Sequence, residues 1–385
     1  MKYVPSYVLT LFLALPPSLI GFEIPAWYGV FHQTLAFTSD LRVFYTPGYM
    51  LRTGQRSEIY DFSAIRRNQS KVIARDDNAV PFLHPAYEGL IFIPLSLLPY
   101  RTAYLAWAVF NLIVLTIIFV LLRPFLKEIS SVAPAWVVPG LLLGFMPIAF
   151  TIIEGQDSLL LLLVLVMVHR RVNSDEMGAG VLLSLGMFRF QILLPIVALF
   201  LFWRRLRFVI GWLAGSIALL GLSAGITGIQ AQLQYIRVLQ AMSKVSLWEL
   251  IRRMPNMRAL FAVIGVGAVP LAIASAAVFS LALATGFRQN TRQKLLLAIC
   301  VSILVPYYLF FHDLSILALP ILLALNQSIT RGDWVHAILT STALSGYAVF
   351  WFTSGKLYLA AIFSLFFLIT EISFLCRQRT SALEG

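Results

Sequence analysis

An acid stands at position 40 in "TLAFTSDLRVFYTPGYML", residues 34 to 51, just after the first apolar segment of the chain. Two chemistries suit Asp40. As a helix N-cap, its oxygen accepts from the backbone N–H groups two or three residues on; as a general base, a carboxylate beside apolar walls accepts a proton from an alcohol. His84 and Glu88 open the short apolar run "PFLHPAYEGLIFIPLSLLP", where Pro85 suits a first helical turn. There His84 is either an anchor at the membrane interface or a ligand-binding imidazole. In "FTIIEGQDSLLLLL" the polar residues Glu154, Gln156 and Asp157 interrupt an apolar run. Gly155 bends the chain into a turn, which can present Gln156 to a sugar hydroxyl.

Arg189 is flanked by apolar residues on both sides in "VLLSLGMFRFQILLPIVALFLFW". A charge at membrane depth faces a cavity, a partner or a substrate. The planar fork of Arg189 suits phosphate oxygens, so an anion site is expected there, with a structural ion pair as the alternative. Asn256 and Arg258, in "WELIRRMPNMRALF", are candidates for substrate binding or for contact with lipid headgroups. His312 and Asp313 are adjacent in "YYLFFHDLSILALP". Asp313 suits a cap for the following helix, and His312 suits a donor to a phosphate or a hydroxyl. No metalloprotease spacing, Gly-rich phosphate loop or serine elbow accompanies these residues, and neither metal nor cofactor is expected.

The elements that must position these groups are membrane helices. Of 385 residues, 59% are hydrophobic and 12% charged, with a mean hydropathy of +0.85; soluble domains run at roughly 45 to 50% apolar. Strand alternation is absent, which argues against a barrel. The net charge of +12 lies largely in short gaps between apolar segments, so it reads as an orientation signal and nucleic acid is not an expected partner. Cys300 and Cys376 fall inside apolar segments and imply neither a disulfide framework nor a thiolate metal site. The opening "MKYVPSYVLTLFLALPPSLIGF" reads as an uncleaved first helix.

A span needs about 20 apolar residues. Candidates are 4–24, 102–122, 135–153, 158–168, 208–228, 259–287, 295–311, 314–325, 334–352 and 357–376, with shorter runs at 86–98, 178–188 and 190–203 that suit broken or re-entrant helices. The expected fold is an all-α integral membrane bundle of about 10 to 13 membrane helices, some short or re-entrant, in one polytopic domain over residues 1–385. With the N-terminus inside, the short cationic loops fall on the cytoplasmic side and only Lys356 opposes them. Two long outer segments, 25–85 and 229–258, then carry interfacial helices, and a site is expected at the outer membrane boundary, where the chemically varied residues collect.

In order, "SDLRVFY", "GQRSEIYD", "FLHPAYEGLIFIPLSLLP", "EGQDSLL", "GMFRFQILLP", "PNMRALF" and "FFHDLSILALP" resemble the polyprenol-phosphate-mannose-dependent mannosyltransferases, glycosyltransferase family 87 of the multispanning GT-C superfamily. The likeness spans most of the chain. It departs from the family pattern at His84, where Tyr is favoured, at Ala86 for Pro, at Arg189 for Lys and at Arg258 for Ser. The resemblance implies an inverting hexosyltransferase of the bacterial inner membrane, with its active site facing the periplasm or exterior. Its partners would be a polyprenyl-phosphate-linked sugar donor, a lipid or glycan acceptor and the surrounding membrane lipids. Asp40 would be the catalytic base; Arg189 and His312, with Arg258, would stabilise the phosphate; His84, Gln156, Asn256 and Asp313 would bind substrate. A transporter or lipid flippase is the competing class, and a scaffold subunit a third.

Overall fold

Inside a lipid layer a backbone without water must satisfy its own polar groups, and for a chain with no alternating pattern the helix is the way to do so. The computed structural model describes residues 5–73, 79–244, 248–351 and 356–383. It is 82% helical, with no strand among the described residues, and the protein is a multispanning helical membrane protein.

Among the described residues, six helices are long and apolar enough to cross a membrane: Ser6–His32, Tyr100–Phe125, Leu206–Thr227, Ala268–Gly286, Phe311–Arg331 and Leu357–Arg377. Two bent pairs raise the number to eight, Val137–Leu143 with Met146–Glu154 at 56°, and Glu176–Ser184 with Met187–Phe202 at 68°. Ser158–Arg171 and Thr291–Leu304 are helices of 14 residues each, about 21 Å long at 1.5 Å per residue, shorter than the bilayer core. The short runs 178–188 and 190–203 form the second bent pair, and 86–98 folds as the helix Ala86–Gly89 followed by two 3₁₀ turns. The first helix runs to Gln33, beyond the expected end at residue 24, because Pro25 is accommodated within it and no breaker follows before residue 34. The expected span 334–352 ends at a residue outside those described.

Burial divides the spans into an inner and an outer set. In Phe311–Arg331, 78% of the apolar stretch is buried, against 11% in Ala268–Gly286, so the first lies at the centre of the bundle and the second on its rim. Glu176–Ser184 and Leu206–Thr227 approach through glycine: a Cβ on Gly180 would lie 2.0 Å from the Phe208 carbonyl oxygen, and one on Gly211 2.1 Å from that of Met177. Small residues at the crossing allow this in a membrane, where lipid tails supply no hydrophobic drive between helices. A second apolar cluster, including Phe44, Tyr60, Phe82, Phe92, Trp107 and Tyr235, fastens the segments around residues 41–65 and 82–104 onto the bundle.

Away from this cluster, His336 joins three helices. Its Nδ1 lies 2.6 Å from Ser328 Oγ and its Nε2 2.8 Å from Glu371 Oε1, while its ring stacks on Phe374. Ser328 and His336 are fully buried, so this is a polar clamp between helices.

Candidate active site

Asp40 occupies the N-cap position of the helix Leu41–Arg52, yet its side chain makes no capping hydrogen bond. The carboxylate turns instead to Gln156, whose Nε2 donates to Oδ2 at 2.7 Å. The preceding backbone is irregular. Thr34–Thr38 forms a single π turn, and within it Phe37 has φ +74°, a left-handed conformation that costs a bulky residue about 1–2 kcal/mol. Such turns and such strain are found most often where function fixes a side chain.

Gln156 is held from the other side by the turn after the helix Met146–Glu154. Gly155 closes that helix at φ +71°, and a Cβ there would lie 2.9 Å from Leu41 Cβ. Glycine is required both for the left-handed backbone and for the close approach that brings residue 156 beside residue 40. Around the turn, Tyr104 donates to the Ile153 carbonyl at 2.7 Å, and Trp107 Nε1 and Asn111 Nδ2 donate to the Gln156 carbonyl at 3.2 and 3.4 Å.

The amide of Gln156 has two ends, and both are used. Its Oε1 accepts from Arg189 Nη2 at 2.8 Å, and the same nitrogen donates to Asp157. Arg189 Nε lies 3.5 Å from Asp313 Oδ1. Asp313 also accepts from Ser158 Oγ at 3.1 Å and from the Phe310 N–H at 2.9 Å; it sits at the third position inside the 3₁₀ helix Phe311–Leu317 and reaches back to the cap residue, and is not itself the N-cap that the sequence suggests. The 68° bend between Glu176–Ser184 and Met187–Phe202 delivers the guanidinium, which is 4% exposed. Arg189 is therefore engaged by carboxylates of its own chain, and the ion-pair alternative describes its surroundings.

His312 closes the ring of groups. Its Nδ1 lies 3.5 Å from Glu154 Oε2 and its Nε2 3.7 Å from Asp313 Oδ1. Asp40 and Glu154 are half-buried, His312 is buried, and one ligand atom from each comes within 4.8 Å of the others. On the far side of Asp157, His84 Nδ1 sits 2.7 Å from Glu88 Oε2 and 3.8 Å from Asp157 Oδ2. Burial, reinforced by the charge of Arg189, pushes His84 down to about 3, and burial beside Asp157 pushes Glu88 well above the usual carboxylate range. Each of these two sets, Asp40, Glu154 and His312 or His84, Glu88 and Asp157, has the nitrogen and oxygen donors to hold a cation.

A ring of acids and imidazoles at the ends of bent membrane helices, two of its carboxylates half-open, suits acid–base transfer on a membrane substrate. The model of glycosyltransferase family 87 matches residues 82–311, more than half of the chain. The chain belongs to glycosyltransferase family 87. No curated protein and no solved structure matches it. The family match takes in the 156–157 turn, Arg189 and Arg258, begins after Asp40 and stops one residue short of His312.

In this family 87 glycosyltransferase, six of the eight residues singled out from sequence are joined by contacts in one network: Asp40, His84, Gln156, Arg189, His312 and Asp313. The other two brace the segment leading into His312. Asn256 caps Met257–Val263 by accepting from the Ala259 N–H, and its Nδ2 donates to the Pro306 carbonyl at 2.8 Å. Arg258 donates to the Tyr307 carbonyl at 2.9 Å and lies 3.5 Å over the Tyr307 ring. Three acids join the network in addition. Glu88 is four residues from His84, and Glu154 and Asp157 lie on either side of Gln156 around the turn.

Proposed function

We propose that the chain transfers a sugar, mannose, from a polyprenyl-phosphate donor to a hydroxyl of a lipid or glycan acceptor at the outer face of a bacterial inner membrane, with inversion at the anomeric carbon. Family membership supplies the glycosyltransferase; the donor, the sugar and the sidedness are this reading. The observation that carries it is the orientation of Asp40, an acid at a cap position that does not cap. Its Oδ2 is fixed by Gln156, and the half-buried carboxylate faces His312 and Glu154.

In this mechanism Asp40 accepts the proton of the acceptor hydroxyl as that oxygen attacks the anomeric carbon, and the lipid phosphate departs. Gln156 aims Asp40, and Arg189 aims Gln156. His312 donates to the departing phosphate, the role of a donor placed where charge develops. Arg258 lies at the edge of the same region, and its ring partner Tyr307 also lines a groove of ≈ 430 Å³ walled by Phe190, Leu194, Pro195, Phe279 and Val305. An apolar groove beside an arginine suits an isoprenoid phosphate.

Purified protein in liposomes, supplied with radiolabelled polyprenyl-phosphate mannose and candidate acceptors, tests the reading. A new labelled glycoside, lost in Asp40→Asn, is the expected result. Label that crosses the bilayer without forming a product would replace transfer with transport.

A further inference from the structure

Four buried polar atoms converge behind the reaction site. His84 Nδ1, both carboxylate oxygens of Glu88 and Asp157 Oδ2 are sealed from solvent; Nδ1 lies 2.7 Å from Glu88 Oε2, and none of the four has a hydrogen-bond partner outside this group. Glu88 and Asp157 are fully buried and the His84 side chain is 9% exposed. A buried polar group without a partner costs about 1–3 kcal/mol, more when charged, so four at one point call for something to join them.

We propose that His84 Nδ1, Glu88 and Asp157 Oδ2 hold a divalent transition-metal cation of the zinc class. The inference is independent of the sugar, the donor and the transfer reaction. Three arguments carry it. The first is charge: Glu88 and Asp157 are two fully buried carboxylates in one cluster, and the single Arg189 guanidinium is shared between Asp157 and Asp313, so a dication would supply a counter-charge that the cluster lacks.

The second is geometry. Ligands about 2.1 Å from a tetrahedral zinc lie about 3.4 Å apart, and the Nδ1–Oε2 and Nδ1–Oδ2 separations, 2.7 and 3.8 Å, bracket that value. The third is the surrounding shell. Asp157 gives Oδ2 to the cluster while Oδ1 is held by Arg189, so the ligand is oriented by a second hydrogen bond, as ligating carboxylates commonly are. His84 is fixed by ring contacts with Phe44 and Phe82, at centroid separations of 5.0 and 5.6 Å. One imidazole and two carboxylates in a closed site favour zinc or manganese over magnesium, which retains water and prefers oxygen.

The cation stands behind Asp157, which holds Arg189, which holds Gln156, which holds Asp40. Its role is to fix the base of that chain of contacts.

The test uses the full-length protein in detergent, purified without a polyhistidine tag, dialysed against chelator and then titrated with Zn²⁺ or Mn²⁺. Bound metal is counted by mass spectrometry. One equivalent of zinc per chain is expected in the wild type, with affinity at least tenfold lower in Glu88→Gln and undiminished in Glu154→Gln. Zinc should also raise the unfolding temperature of the wild type and leave that of Glu88→Gln unchanged. If Glu88→Gln does not fold, His84→Gln takes its place with the same expectation. No retained zinc or manganese in the wild type would overturn the proposal and assign the cluster to shared protons. Loss of binding in Glu154→Gln with Glu88→Gln intact would overturn it too, by moving the ion to the Asp40 group.

Discussion

Replacing Arg189 by Met separates an ion pair that holds the protein together from an anion site that holds a substrate. Arg189 Nη2 serves Asp157 and, at 2.8 Å, Gln156, while Nε lies 3.5 Å from Asp313. Both aspartates are fully buried. Removing the guanidinium takes from Asp157 and Asp313 the cation they share, and breaking a buried pair in this way costs about 3–5 kcal/mol. Arg189→Lys keeps the charge but gives up the fork, and the loss of one charge-assisted hydrogen bond is expected to cost about 1.5–3 kcal/mol. The assay is an unfolding titration in detergent followed by tryptophan fluorescence, alongside binding of a fluorescent polyprenyl phosphate. The order of stability should be wild type, then Lys, then Met, and transfer should fall in the same order because Gln156 loses its support. A Met variant that unfolds with the wild type and has lost only phosphate binding would refute the ion-pair reasoning.

The remaining expectations address the neighbouring groups. Asp40→Asn should lower transfer by roughly 10² to 10⁴ with an unchanged unfolding midpoint, the range for losing an acid–base group; full activity in a radiolabel transfer assay would remove Asp40 from the chemistry. Gly155→Ala places a Cβ at φ +71° and against Leu41, so it should cost about 1–2 kcal/mol and reduce transfer as well; an unaltered turnover would show that the 40–156 approach is not needed. Ser328→Ala leaves His336 Nδ1 unpaired in a sealed site, costing about 1–3 kcal/mol while leaving transfer intact. A loss of turnover in the folded Ser328 variant would contradict its assignment as a clamp.

Composition identified a helical membrane protein, and the polar interruptions of its apolar runs identified most of the network, because a lipid-facing helix has few other reasons to carry Gln156, Arg189 or His312. The partners of those residues were not legible. Arg189 meets Asp157 across 32 residues of chain and Asp40 meets Gln156 across 116, pairings that only the packing creates. The same limit affected the span count. Ser158–Arg171 and Thr291–Leu304 are apolar because neighbouring helices bury them, and a hydropathy pattern does not distinguish burial in protein from exposure to lipid. His84 and Glu88 are only four residues apart, yet His84 precedes the helix Ala86–Gly89 across an extended Pro85, so their contact too is set by the fold and not by helical spacing.

The carboxylate surplus around Arg189 also separates two responses to ionic strength. A chain of formal net charge +12 encloses, near its reaction site, more acids than bases. The outward cations lie in water, where added salt screens them within about 8 to 10 Å, so the hold on anionic lipid should loosen as salt rises. The sealed acids are screened far less. Turnover of a donor already in place is then expected to be nearly indifferent to the same salt.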